Sequence, residues 1–202
     1  MIFHSLLQKS FTSTKRGFTL IELMVTISIV VLVTAVVLVE YSSFNSTTLL
    51  TSQAYITAFD LREAQSLAIG VRGQGTEFSQ EYGIYFTMSN TNSYQLFQDT
   101  GTVVPATYTS SDVAVGALRY LDPRFKISDI CVTVSGSSAK DCNINNLAVT
   151  FMRPDFDAAF NAGGGGGRVS GTITSVDIIF APLKGTGTRT VTVSSAGQIS
   201  VN

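Results

Sequence analysis

The chain has 202 residues, 45% hydrophobic and only 13% charged, with a formal net charge of -1, where an ordinary globular domain is about 25% charged. That composition excludes a disordered charged tail, a coiled-coil rod and a strongly basic nucleic-acid binder. A single histidine, His4, and two cysteines are too few for a closed four-ligand zinc site, and no metal or other cofactor is expected.

Residues 1–17 carry Lys9, Lys15 and Arg16 and no acidic residue, so this end should stay in the cytoplasm. From Phe18 to Val39 the only charge is Glu22, and Thr19, Thr26, Ser28 and Thr34 are the only hydroxyl side chains. As a helix this stretch is roughly 33 Å long, enough to cross a hydrocarbon core of about 30 Å. Its Val, Ile and Thr residues are mediocre helix formers in water, but in lipid a lone segment satisfies its backbone only as a helix. A secretory signal peptide would place a small-residue cleavage site after the apolar run. Here the chain continues Glu40-Tyr41-Ser42-Ser43-Phe44, and the small residue is Gly17, on the other side. Cleavage at Gly17 keeps the apolar segment in the mature protein.

The run Lys15-Arg16-Gly17-Phe18-Thr19-Leu20-Ile21-Glu22-Leu23-Met24, opening a long apolar helix, resembles the class III signal of type IV pilins and pseudopilins. The resemblance implies cleavage between Gly17 and Phe18 by a prepilin peptidase. It also implies methylation of the new amine on Phe18, and an assembly role for Glu22 at the fifth mature position. Glycine suits the cut because it has no Cβ to crowd a narrow protease cleft. A carboxylate costs about 2.5 to 3.5 kcal/mol at the centre of a lipid-embedded helix, so Glu22 needs a partner. An α-amine on Phe18, with a reference pKa of about 8, can supply the positive charge. The alternative is a Glu22 that reaches the headgroups unaided from its place near the helix end. The leader holds Lys9, Lys15 and Arg16 of the 13 basic residues and none of the 14 acidic ones, so the chain from Phe18 has net charge -4 and no histidine. The commonest Ser or Cys hydrolytic triads are thereby excluded, and no enzyme activity is expected.

Past the apolar span, Ser42-Ser43-Phe44-Asn45-Ser46-Thr47-Thr48 are poor helix formers that could bend or loosen a helix. Leu50, Ala54, Thr57, Leu61, Ala64, Ala68 and Val71 then recur every three or four residues, one apolar stripe that should pack on a sheet. Asp60, Arg62, Glu63 and Gln65 fall largely off it. Gly70, Gly73 and Gly75 stop the helix, which would run from Phe18 to about Arg72, roughly 80 Å.

From Gln80 the pattern becomes β-rich with period two. Strands are predicted at Tyr82 to Met88, Ser93 to Gln98, Ile130 to Val134, Leu147 to Phe151, Gly171 to Phe180, Arg189 to Val193 and Ile199 to Val201. Ser89-Asn90-Thr91-Asn92 and Ser194-Ser195-Ala196-Gly197 read as hairpin turns. The expected fold is α+β and pilin-like: a long N-terminal helix, its first half spanning the membrane, packed on a C-terminal antiparallel β-sheet domain. The divisions are a leader at 1–17, a transmembrane and assembly helix at 18–40, an amphipathic continuation at 41–74 and a β-rich domain at 75–202. The ending from Thr190 to Val201 and the segment from Leu61 to Ala68 resemble GspH/FimT-type minor pseudopilins. Many relatives carry a proline or glycine inside the N-terminal helix; this chain has neither between Phe18 and Ser43.

The run from Asn161 to Arg168, with five consecutive glycines, lacks the Gly-Lys-Ser/Thr ending of a phosphate cradle and reads as a flexible surface loop. Asp155, Asp157 and Asn161 offer oxygen ligands, as in pseudopilins that bind calcium in C-terminal loops, but their spacing fits no EF-hand and a solvated loop is favoured. Arg168, Lys184 and Arg189 against Asp177 give the tail a weak positive excess. Cys131 and Cys142 flank Ser135-Gly136-Ser137-Ser138, which can turn the chain back, and topology places both outside the cytoplasm, where disulfides persist. The alternative is two buried, unpaired cysteines acting as small hydrophobes.

The residues and the resemblance together lead to a structural subunit of a type IV filament, either a pilus or a type II secretion pseudopilus. It would be a single-pass protein of the bacterial cytoplasmic membrane, N-terminus cytoplasmic, with its globular domain in the periplasm or on the cell surface. The implied partners are other pilin or pseudopilin subunits, the prepilin peptidase, the membrane assembly platform and the lipid bilayer. The alternative is a minor tip pilin that binds a ligand such as DNA or a surface. DNA is disfavoured by the net charge of -4.

Overall fold

A computed structural model of the chain describes residues 17–70, 81–100, 108–137, 139–152, 154, 156–164, 167–168 and 171–202, with backbone alone at 39–45, 164, 167 and 168. The described residues divide between Ser42 and Ser43 into two units.

The first unit contains the start of helix α1, Leu20–Ile69. Every residue of 17–38 is exposed, so the apolar side chains of Leu20–Leu38, a helix long and apolar enough to cross a membrane, are not buried by any of the described residues. The hydroxyls in this span are satisfied locally. Thr26 donates to the Leu23 carbonyl at 2.9 Å, Ser28 to Met24 at 2.8 Å and Thr34 to Val30 at 2.7 Å. Each thus spends its donor on a carbonyl of its own helix, the arrangement lipid requires of a polar group with no other partner.

The segment predicted to bend or loosen the helix is assigned to α1 throughout, so low intrinsic propensity at 42–48 did not end the element. The helix stops at Ile69 rather than near Arg72, with the Gly70 amide closing the last turn on the Ser66 carbonyl at 2.9 Å. Gly73, Gly75 and Val71 lie outside the described residues. In the second unit the predicted stripe is buried at Leu50, Ala54, Thr57, Leu61, Ala64 and Ala68. Asp60 departs from the expectation: it is buried, accepting from the Tyr94 hydroxyl at 2.7 Å and lying 3.7 Å from Arg119. A buried carboxylate needs such partners. Glu63 and Arg62 are exposed as expected.

The β-rich part forms two antiparallel sheets rather than one. The first comprises β1 (Tyr82–Thr87), β2 (Asn90–Gln98), β3 (Val113–Ala114), β4 (Arg119–Tyr120), β7 (Ile144–Phe151), β8 (Ala158–Gly164) and β9 (Gly167–Arg168). Its order is β3-β2-β1-β7-β8-β9, with β4 also on β2. The second comprises β5 (Phe125–Val134), β6 (Lys140–Asp141), β10 (Ile173–Pro182), β11 (Arg189–Ser194) and β12 (Ile199–Val201), in the order β12-β11-β10-β5-β6. Side chains of both sheets, among them Ile84, Phe86, Val149, Ile130, Ile178 and Val193, share one apolar cluster with the α1 stripe. Alanine at 54, 58, 64 and 68 lets the helix backbone approach that core closely.

Each predicted strand is present. The first hairpin turns at Met88 and Ser89 instead of Ser89 to Asn92, and β2 begins at Asn90. The last turns at Ser195 and Ala196; Gly197 has φ +74° there, and a Cβ on it would strike the Phe156 carbonyl. The glycine-rich run is a correction: Asn161–Gly164 ends β8 and Gly167–Arg168 forms β9, paired with it. Strand β8 is held by seven register pairs with β7 and by Phe160 and Ala162 in the core, so tertiary pairing outweighs the poor β propensity of glycine.

Candidate processing and assembly site

Three of the residues singled out above lie within one helical turn of the start of α1. Gly17 precedes the helix, and a Cβ on it would meet nothing within 4 Å. The fold therefore makes no demand for glycine at this position. Phe18 follows with 77% of its surface exposed. Thr19 is the N-cap: its Oγ1 accepts from the Glu22 amide at 3.2 Å, and its carbonyl accepts from Leu23 at 3.1 Å. This satisfies one of the orphan amides that every helix start carries. Glu22 stands at the third helical position, where a carboxylate is favoured by the positive end of the helix dipole. Among the described residues no cation pairs with it.

Thr19 was not singled out by the sequence reading as a structural residue, although Thr-x-x-Glu ahead of an apolar run is the signature of a capping box. The consequence is chemical. The helix begins at Leu20, so Gly17 and Phe18 stay outside it and exposed to solvent. A chain starting at Phe18 would begin just before its own N-cap, with its amine and Glu22 both at the first helical turn.

The second unit holds the cysteines. Cys131 and Cys142 are joined by a disulfide that ties β5 to the residue after β6. Cys131 lies opposite Asp177 in the register of β5 and β10, and Asp177 lies opposite Thr192 in that of β10 and β11. Asp177, 4% exposed, accepts from Lys140 Nζ at 2.5 Å and from Thr192 Oγ1 at 2.6 Å. Asp129 lies near the two sulfurs, but with both sulfurs in a disulfide there is no thiolate pair to hold a metal.

The other sequence candidates do not converge. Asp155 lies outside the described residues; Asp157 is exposed, while Asn161 is buried within β8 rather than in a loop. The Arg189 guanidinium donates to Thr51 Oγ1 at 2.9 Å, Lys184 is exposed, and the Arg168 side chain is not among those described.

A family profile, the prokaryotic N-terminal methylation motif, matches residues 12–38. These residues contain the Gly17-Phe18 bond, the Thr19 cap, Glu22 and the apolar span Leu20–Leu38. No curated protein and no solved structure matches the chain.

Proposed function

We propose that this chain, which carries the type IV pilin and pseudopilin signal over residues 12–38, is a structural, non-catalytic subunit of a type IV filament. The observation that carries this reading is the first turn of α1. An exposed Gly17-Phe18 bond precedes a capped helix, and that helix presents Glu22 and then an apolar span that stays exposed among the described residues. Before assembly the span anchors the subunit in the bacterial inner membrane. The leader side, with Lys9, Lys15 and Arg16, faces the cytoplasm, and the disulfide-bonded domain faces away from it.

In this reading the peptidase cuts between Gly17 and Phe18, Phe18 is methylated, and methylation leaves the amine charged as it does for lysine. The amine of one subunit then supplies the cation that Glu22 of another lacks. Exposed apolar side chains between Leu20 and Leu38 exchange lipid for the helices of neighbouring subunits, an exchange that costs little because lipid tails and leucine are equally apolar. Pilus and type II secretion pseudopilus share this chemistry, and so do major and minor subunits.

The test replaces Gly17 with tryptophan. Because a Cβ at this position meets nothing within 4 Å among the described residues, and the position is exposed ahead of the helix, the variant should fold and reach the membrane as wild type does. It should accumulate there uncut and be absent from sheared filaments. Normal processing of the Gly17→Trp chain would contradict the proposal.

A further inference from the structure

At one end of the second sheet the start of β5 and the end of β10 meet the beginning of the second unit's helix, enclosing a cleft of about 400 Å³. Ser46, Arg124, Phe125, Pro182, Leu183 and Lys184 line it. Phe125 is buried and Leu183 is 58% exposed, so the walls are apolar and one leucine stands out of them. The charges there are mainly positive. Lys184 has no ion pair or hydrogen bond among the described residues. Arg124 gives Nε and Nη2 to Asp122 at 2.8 and 2.6 Å, which leaves Nη1 as a donor. Arg189, at the start of β11 on the same sheet end, adds a further cation close to the helix through its bond to Thr51. Ser46 follows Leu38, the end of the apolar span, by only eight residues, so chain length alone would keep Ser46 within about 30 Å of the end of a span lodged in a bilayer.

We propose that this cleft seats the headgroup of an anionic phospholipid of the membrane in which the subunit waits for assembly. Lys184 and the Nη1 of Arg124 take the phosphate, and Leu183 enters the outer edge of the acyl region. Basic side chains beside an apolar one, at the surface of an anionic leaflet, are attracted by charge and held by burial. The inference rests on the membrane-anchored reading above, and it adds a specific lipid contact that holds the globular domain at the membrane before the subunit leaves.

The test is hydrogen exchange on the full chain in nanodiscs of phosphatidylcholine alone, or with about one third phosphatidylglycerol, a composition that carries the negative surface charge the contact needs. Exchange at residues 183–187 should be about fivefold slower in the anionic discs, with β7 unchanged. The protection should vanish in about 0.5 M sodium chloride, where the screening length is only a few ångströms, and in Lys184→Glu, while Leu183→Ser should weaken it. Equal protection in both discs, or full protection of Lys184→Glu, would overturn the proposal. So would protection in phosphatidylcholine discs on adding inorganic phosphate, which would assign the cleft to a free anion instead. A chain that enters neither disc would overturn the membrane-anchored reading as well; equal protection in both discs would leave that reading intact.

Discussion

The Glu22 amide is bonded to the Thr19 hydroxyl at 3.2 Å, so the residue that caps the helix is two positions beyond the Gly17-Phe18 bond. That side chain marks the start of the helix and leaves Gly17 and Phe18 outside it. Replacing Thr19 with alanine should cost about 1 kcal/mol at the helix start. The Glu22 amide should then exchange with solvent about fivefold faster, with Thr19→Ser restoring protection. Unchanged exchange in Thr19→Ala would show that the cap contributes nothing.

Much of this architecture is legible in the sequence because apolar residues mark it directly. The span from Phe18 to Val39 declares itself by its unbroken apolar length, and the stripe from Leu50 to Ala68 and the alternating strands around Phe86, Leu96, Val149 and Val191 by their periods. Elements without such a period stayed hidden. Strands β3, β4, β6 and β9 are two residues long and exist only by pairing, and the glycines of β8 carry no pattern. That the strands divide between two sheets follows from pairings such as Gly83 with Thr150 and Ile178 with Ile130, which join segments far apart in sequence. Asp60 was misread for the same reason: its partners, Tyr94 and Arg119, come from the sheet, and helical spacing alone cannot announce them. At the candidate processing site the reverse holds. Gly17, Phe18 and Glu22 are recognisable from local order alone, since the matched motif is one linear stretch, residues 12–38, and the Thr19 cap could have been read the same way.

The disulfide and the Lys140–Asp177 pair should be energetically coupled. Cys142 lies one residue beyond β6, which carries Lys140, and Asp177 is buried opposite Cys131. Lys140→Ala removes the cation from a buried carboxylate that keeps Thr192 as its side-chain partner among the described residues, an expected loss of about 1 to 3 kcal/mol. Removing the disulfide by Cys131→Ala with Cys142→Ala should cost somewhat under about 3 kcal/mol for so short a loop. Denaturant midpoints of the triple variant should show less than the sum, because an untethered β6 no longer holds Lys140 in place. Strict additivity would mean that the ion pair forms without the staple.

Asp122 predicts a small acid-sensitive contribution at the cleft. The Arg124 side chain, then its backbone amide, hold the Asp122 carboxyl down at about 2, from an ordinary 3.8. A carboxylate with a depressed folded value stabilises above its unfolded value, and that contribution is lost as pH falls through the folded one. Asp122→Asn should therefore be less stable than wild type at neutral pH, by under about 1 kcal/mol because solvent screens the pair. The gap should close as the pH is lowered from about 4 to about 2. Stability measured by denaturant at stepped pH checks this, and a gap that widens on acidification would contradict the assignment.

The central claim is that Phe18 becomes the first residue of an assembled filament subunit. Intact-mass and N-terminal peptide analysis of sheared, washed filaments tests it most directly. The account predicts this chain in the filament fraction, beginning at Phe18 with a methylated amine and with Cys131 and Cys142 resistant to alkylation until reduced. Filaments containing the chain with Met1 and its leader still attached would contradict it.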